Sequence, residues 1–222
     1  MTPFTTLTGV AVPMLARGPA KWPPVRGQDH APMLEDDINT DQIAPQQMDR
    51  SLDPDYRVML FRRHRADPAF ILNRPQYAAP AILVAGRNFG CGSARETAVW
   101  APMSWGIRCV VAKGFADIYR ENCLQNGVLP LELGDAHEAF AARVVAADGA
   151  APFTVDLLTQ TISGPGGPAI AFDIAPADRL RLIEGLDDIG LTLKHVDDIA
   201  AWEQRTAATQ PWLQTARDSR LR

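Results

Sequence analysis

Apolar residues come in short bursts through the middle of this chain, separated by polar or glycine-rich stretches. The runs Ala81-Ile-Leu-Val-Ala85, Arg108-Cys-Val-Val-Ala112 and Val128-Leu-Pro-Leu-Glu-Leu133 are too short for helices and predict strands. Helices are predicted between them, over 94 to about 101, where Pro102 ends the pattern, and over 115–126, where Gly127 supplies a C-terminal cap. Strand, helix and strand at this spacing make a βαβ unit, with parallel strands and a right-handed crossover. An alanine-rich helix follows over 136–147. The period then changes. Residues 153–158 and 169–174 alternate across the turn Ser163-Gly-Pro-Gly-Gly-Pro168, which predicts a hairpin with an extended turn. A strand over 5–14 opens the chain and an amphipathic helix from 196 to about 205 closes it, with a frayed tail over 206–222. Residues 16–35 hold Pro19, Pro23, Pro24 and Pro32 with Gly18 and Gly27 and read as a loop, and residues 36–41 as a polar turn leading into Gln42-Ile-Ala-Pro45.

Length and charge narrow the function. The 222 residues suffice for one ample domain, expected over 1–205 with 16–35 as a loop insertion. Twenty-two Lys and Arg against 26 Asp and Glu leave a net charge of −4, which argues against nucleic acid as a partner. No apolar run approaches the ~20 residues that span a membrane, and the N-terminus lacks the positive segment of a signal peptide. The three cysteines, Cys91, Cys109 and Cys123, contain no CxxC pair. That spacing argues against a zinc or iron–sulfur cage in this chain and for a reducing cytoplasm. His30, His64, His137 and His195 show no paired ligand spacing and read as surface side chains.

The chemistry concentrates in the segment Asn88-Phe-Gly-Cys-Gly-Ser-Ala-Arg-Glu-Thr-Ala-Val-Trp-Ala-Pro102, directly after a strand. Gly90 and Gly92 permit a tight turn, and Ser93 and Arg95 then fall where a helix begins and its free N–H groups can hold an anion. Two readings stand. Ser93 and Glu96 match a capping box, which needs no function, yet a capping box does not explain two glycines beside Asn88 and Cys91. The spacing fits neither the dinucleotide fingerprint, because position 95 is arginine, nor a nucleotide-triphosphate loop. Cys91 has no evident histidine partner and reads as a small packed thiol.

Four blocks in order carry a resemblance over about residues 5–204. They are Asp37-Ile-Asn-Thr-Asp-Gln-Ile-Ala-Pro45, Asn88-Phe-Gly-Cys-Gly-Ser-Ala-Arg-Glu96, Gly114-Phe-Ala-Asp-Ile-Tyr119 with Asn126-Gly-Val-Leu-Pro130, and Gly185-Leu-Asp-Asp-Ile-Gly-Leu-Thr-Leu193. The chain resembles the small-subunit family of 3-isopropylmalate dehydratase, within the aconitase superfamily. The resemblance implies an α/β fold, the three-layer β/β/α swivelling domain that is like the C-terminal domain of aconitase, with a central, mostly parallel sheet. It implies a hydro-lyase that interconverts 2-isopropylmalate and 3-isopropylmalate in leucine biosynthesis. It also implies a heterodimer in which the [4Fe–4S] cluster sits on the large subunit, with no cofactor held by this chain. Carried over by position, Ser93 matches the serine that acts as base and Arg95 the arginine that binds a substrate carboxylate, in a fork suited to bidentate contact. Gly92 and Ala94 would line the substrate, and Thr40, Asp41, Asn88, Gly90 and Cys91 would support the site.

The chain departs from the family pattern Gly-Ser-Ser-Arg-Glu-His at Ala94 and Thr97, and Asn39 stands where aspartate is usual. Ala94 removes a hydroxyl, and a hydrogen bond to a charged group is worth roughly 1.5–3 kcal/mol. Two rival expectations follow. One is a paralogous small subunit for another 2-hydroxy di- or tricarboxylate, of methylmalate or homoaconitate type. The other is a non-catalytic regulatory module. Arg62, Arg63 and Arg65 form a basic cluster that reads as a solvated face or partner contact, with a substrate role as the alternative.

Overall fold

Among the described residues, seven strands form one sheet in the order β4-β3-β2-β1-β5-β6-β7. The structure is a computed structural model, and it describes residues 1–16, 34–45 and 54–213. In chain order the first compact unit, Met1–Gly185, runs β1 (Thr6–Pro13), α1 (Thr40–Ile43), α2 (Tyr56–Met59), α3 (Arg62–Arg65), β2 (Pro80–Ala85), α4 (Thr97–Ser104) and β3 (Cys109–Ala112). It continues with α5 (Asp117–Gln125), β4 (Leu129–Leu131), α6 (His137–Ala147), β5 (Phe153–Asp156), β6 (Thr161–Ser163), β7 (Ile170–Ala171) and α7 (Pro176–Glu184). The second unit begins at Leu186 and holds α8 (Asp188–Leu193) and α9 (Val196–Thr209).

The four strands β1 to β4 pair in parallel, and β5 turns antiparallel against β1. Every residue of β3 and β4 is buried, as expected of parallel strands covered on both faces. The pleat divides β2 between two cores. Leu83 and Ala85 join Val110, Ala112, Ala98, Val99, Tyr119 and Cys123 on the α4 and α5 side. Ile82 and Val84 join Cys109, Val111, Phe140, Val144, Phe153 and Ile162 on the other. This is the mostly parallel α/β sheet that the sequence and the resemblance lead one to expect.

Several elements differ from the expectation. Helix α4 starts at Thr97 rather than 94, and no side chain caps it. The capping box lies elsewhere, on α1, where the Gln42 N–H donates to Asn39 Oδ1 at 2.9 Å and the Asn39 N–H donates to Gln42 Oε1 at 2.7 Å. Helix α4 also runs past Pro102 to Ser104. Proline withholds an N–H from the Ala98 carbonyl four residues back, and the Tyr119 hydroxyl donates to that carbonyl at 3.4 Å. The hairpin resolves into a three-strand meander, because Thr161–Ser163 forms β6 between the two expected strands. Asp156 Oδ1 makes the first turn by accepting the N–H groups of Leu158 and Thr159 at 2.8 and 2.9 Å. Arg143 of α6 holds the second turn through the carbonyls of Gly164, Pro165, Gly167 and Pro168, at 2.8–3.1 Å. Helix α9 reaches Thr209, beyond the expected fray point. Most of the loop expected over 16–35, with His30, lies outside the described residues, as does the end of the tail.

Candidate active site

Beyond β2 the chain continues as a strip held on both sides. The Phe89 N–H donates to the Gly114 carbonyl at 3.0 Å, and the Ala116 N–H to the Phe89 carbonyl at 3.0 Å. On the other side the Gly90 N–H donates to the Ile38 carbonyl, and the Thr40 N–H to the Cys91 carbonyl, both at 2.8 Å. Asn88 takes a left-handed conformation, φ 55°, which asparagine tolerates, and its Nδ2 donates to Asp37 Oδ1 at 2.8 Å.

Two glycines let this strip turn. At Gly90, φ 79°, a Cβ would stand 2.1 Å from Tyr119 Cγ. At Gly92, φ 101°, a Cβ would meet Thr40 Oγ1 at 3.3 Å. Glycine therefore serves both as the left-handed residue and as the close-approach residue.

The turn delivers Ser93, Ala94 and Arg95 against α1. Thr40 is buried, 1% exposed. Its Oγ1 accepts the Ser93 backbone N–H at 3.0 Å and lies 3.4 Å from an Arg95 guanidinium nitrogen. The same nitrogen pairs with Asp41 Oδ1. Arg95 Nε is buried without a partner among the described residues, so the guanidinium is oriented while part of its donor capacity is unused. Gly92, Ser93 and Ala94 are exposed. From behind, Asn122 Nδ2 donates to the Ala94 carbonyl at 3.4 Å, and Asn126 Nδ2 lies 3.5 Å from Glu96 Oε1. Asn126 Oδ1 also accepts the Trp100 indole N–H at 2.9 Å.

The structure thus gathers Thr40, Asp41, Asn88, Gly90, Cys91, Gly92, Ser93, Ala94 and Arg95 at one place. It corrects the way Ser93 was expected to meet an anion. Three residues separate Ser93 from the first residue of α4, and its own N–H is committed to Thr40. The N–H groups of Gly92, Ala94 and Arg95 have no partner among the described residues, and they are the donors an anion would find. Tyr119, Asn122 and Asn126 also belong to the site, although the sequence pattern did not place them there. Tyr119 and Asn126 lie in the third block of the resemblance, and their signal was the spacing of that block along α5.

Cys91 is partly exposed and its Sγ donates to the Asp37 carbonyl at 3.5 Å. Burial, and then the Asp37 carboxylate, push its thiol pKa up, which suits a packed thiol and not a nucleophile. Arg65 lies over the Trp105 ring, 4.5 Å from its centroid, and donates to the carbonyls of Arg57 and Leu60, while Arg62 and Arg63 are exposed. His195 is exposed, but His137 is 1% exposed, against the expectation of a surface side chain. It is the first residue of α6, a position whose pattern alone does not reveal the face that packs. Among the described residues no group of three or more His, Cys, Asp or Glu side chains is arranged to hold a metal ion, and no helix is long and apolar enough to cross a membrane.

The sheet and its Ser93–Arg95 turn define a domain of the aconitase C-terminal class. The aconitase C-terminal domain model matches residues 29–136, and the model for the C-terminal domain of the 3-isopropylmalate dehydratase small subunit matches 188–216. The chain is 43% identical to the 3-isopropylmalate dehydratase small subunit of Dinoroseobacter shibae, over 96% of this chain and 100% of that one. It is 40% identical to the one from Paramagnetospirillum magneticum, over 96% and 100%. A solved structure of 3-isopropylmalate dehydratase from Methanocaldococcus jannaschii shares the fold, with a TM-score of 0.57 at 23% identity, over 89% of this chain and 99% of that one. The chain belongs to the family of 3-isopropylmalate dehydratase small subunits.

Proposed function

We propose that this chain works with a large subunit to interconvert 2-isopropylmalate and 3-isopropylmalate through 2-isopropylmaleate. The observation that carries the reading is an exposed serine beside a positioned arginine, on a chain that belongs to a family of small subunits. That is half of a site, and a large subunit would supply the other half.

The reaction removes a proton α to a carboxylate and a hydroxide from the neighbouring carbon. Ser93 Oγ takes the proton and returns it to the other carbon on rehydration. Arg95 binds a substrate carboxylate through its guanidinium fork. A serine alkoxide is costly near neutral pH, and the N–H groups of Gly92, Ala94 and Arg95 with the guanidinium offset that cost. The departing hydroxide calls for a Lewis acid, which a [4Fe–4S] cluster with an open iron supplies when bound. The thiols of this chain do not fit such a cluster, because Cys109 and Cys123 are buried in separate cores and Cys91 stands apart at the turn. In this reading the large subunit would hold the cluster.

Co-expression with a large subunit tests the reading. The complex should turn over 2-isopropylmalate, and the isolated chain should show neither turnover nor iron. A complex that turns over methylmalate or homoaconitate but not isopropylmalate would place the chain with a different hydroxy acid.

A further inference from the structure

A cavity of about 270 Å³ opens at the carboxyl ends of β2 and β3 and shares no lining residue with the Ser93 turn. Gly86 directly follows β2, Lys113 directly follows β3, and His137 begins α6. Carboxyl ends of parallel strands are where open α/β sheets receive ligands. On one wall, Asp36 accepts from the Arg87 backbone N–H at 2.7 Å and from its Nε and a terminal nitrogen at 3.1 and 2.9 Å. Gly86 permits this approach, since a Cβ there would stand 2.1 Å from Asp36 Oδ1. On the other wall, Lys113 pairs with Glu138, both exposed.

His137 makes this a built site and not a surface dip. It lines the cavity at 1% exposure, and neither ring nitrogen has a hydrogen-bond partner among the described residues. The Ala85 carbonyl lies towards the ring but outside hydrogen-bond geometry. Burial lowers the His137 pKa, so the ring is neutral near pH 7, with one donor and one acceptor. A buried polar pair left open in this way calls for a partner.

We propose that this cavity binds a free α-amino acid with a short aliphatic side chain. Its walls carry two cations and two carboxylates beside a neutral imidazole, so a ligand with both signs of charge adds no net charge. A dicarboxylate would set two negative charges beside Asp36 and Glu138. The ammonium group meets the carboxylate edge and the imidazole acceptor, and the carboxylate meets Lys113 and the imidazole donor. The Lys113–Glu138 pair is exposed and opens at little cost. Leu34 supplies an apolar wall, and the volume lies below the roughly 300–1,000 Å³ of pockets for drug-sized molecules. The site does not depend on the reading of Ser93.

The test is a titration of the full chain, with its 4 histidines labelled at the ring carbons, followed by NMR. The probes are L-leucine, isopentylamine and 4-methylpentanoate, the last two being the same skeleton without the carboxylate or without the ammonium group. L-Leucine should shift saturably the ring resonance that is missing in His137→Asn, and each truncated probe should bind about tenfold or more weakly. Lys113→Met and Glu138→Gln, both exposed, should weaken L-leucine by about tenfold with unchanged melting temperature. Equal binding of 4-methylpentanoate would make this an anion site and overturn the proposal. So would the lack of any saturable shift, which would leave an ordered water as the partner of His137.

Discussion

Thr40 Oγ1 accepts the backbone N–H of Ser93 at 3.0 Å, from a side chain that is 1% exposed. A one-turn helix ahead of β2 thereby fixes the loop behind β2. In the proposed reaction Thr40 does no chemistry; it positions Ser93, the proposed base. Thr40→Val keeps the shape and removes the acceptor, leaving the Ser93 N–H to find another partner. A lost acceptor of this kind costs about 1–3 kcal/mol. The reconstituted complex should lose about tenfold or more in kcat/KM, and Thr40→Ser should recover most of it. Full activity in Thr40→Val would show that the loop is held by its glycines alone.

Ser93 and Arg95 should separate kinetically. The Ser93 hydroxyl is exposed and supports no packing, so Ser93→Ala should leave the melting temperature unchanged while isopropylmalate turnover vanishes. Retained turnover would exclude Ser93 as the base. Arg95→Lys keeps the charge and loses the fork, so its main effect should be a raised KM.

Gly90→Ala tests the packing beneath the site. The new Cβ would meet Tyr119 Cγ at 2.1 Å, on a backbone with φ 79°. Overpacking and left-handed strain together should cost about 2–4 kcal/mol, seen as a lower denaturation midpoint. An unchanged midpoint would mean that the Tyr119 ring moves freely, and with it the hydroxyl that serves the Ala98 carbonyl.

Much of this was legible because the parallel strands are buried on both faces, so Ala81–Ala85 and Cys109–Ala112 stand out as unbroken apolar runs. The turn at Gly90 and Gly92 was legible because left-handed, close-packed backbone leaves few choices of residue. What escaped depends on contacts distant in sequence. Ser93 and Glu96 spell a capping box as well as Asn39 and Gln42 do, but Thr40 draws the Ser93 N–H away from α4. Pro102 reads as a helix end, and only Tyr119 shows why the helix passes it. Strand β6 is three residues long and becomes a strand only between β5 and β7.

Cys91 should react slowly. Burial and the Asp37 charge favour the protonated thiol, and only the thiolate alkylates. In the folded chain near pH 8, iodoacetamide should modify Cys91 more slowly than free cysteine and leave the buried Cys109 and Cys123 intact. Asp37→Asn should speed the reaction, as followed by mass spectrometry. Fast alkylation of the wild type would argue for an activated thiol at the site.

Tyr77 gives the fold a pH limit on the alkaline side. Its ring is 1% exposed, and its hydroxyl donates to Asp148 Oδ1 at 3.2 Å. Burial, followed by the Asp148 charge, pushes its pKa up to about 12, against an ordinary value of about 10. The folded state thus holds this proton more tightly than the unfolded chain does. The resulting stability is complete below the unfolded value of about 10 and is lost as pH rises from there through about 12. Urea denaturation across that window should show stability falling with pH in the wild type and falling less steeply in Tyr77→Phe, which has no phenol proton to lose. Identical slopes would mean that the Tyr77 phenol ionises as readily in the folded chain as in the unfolded one.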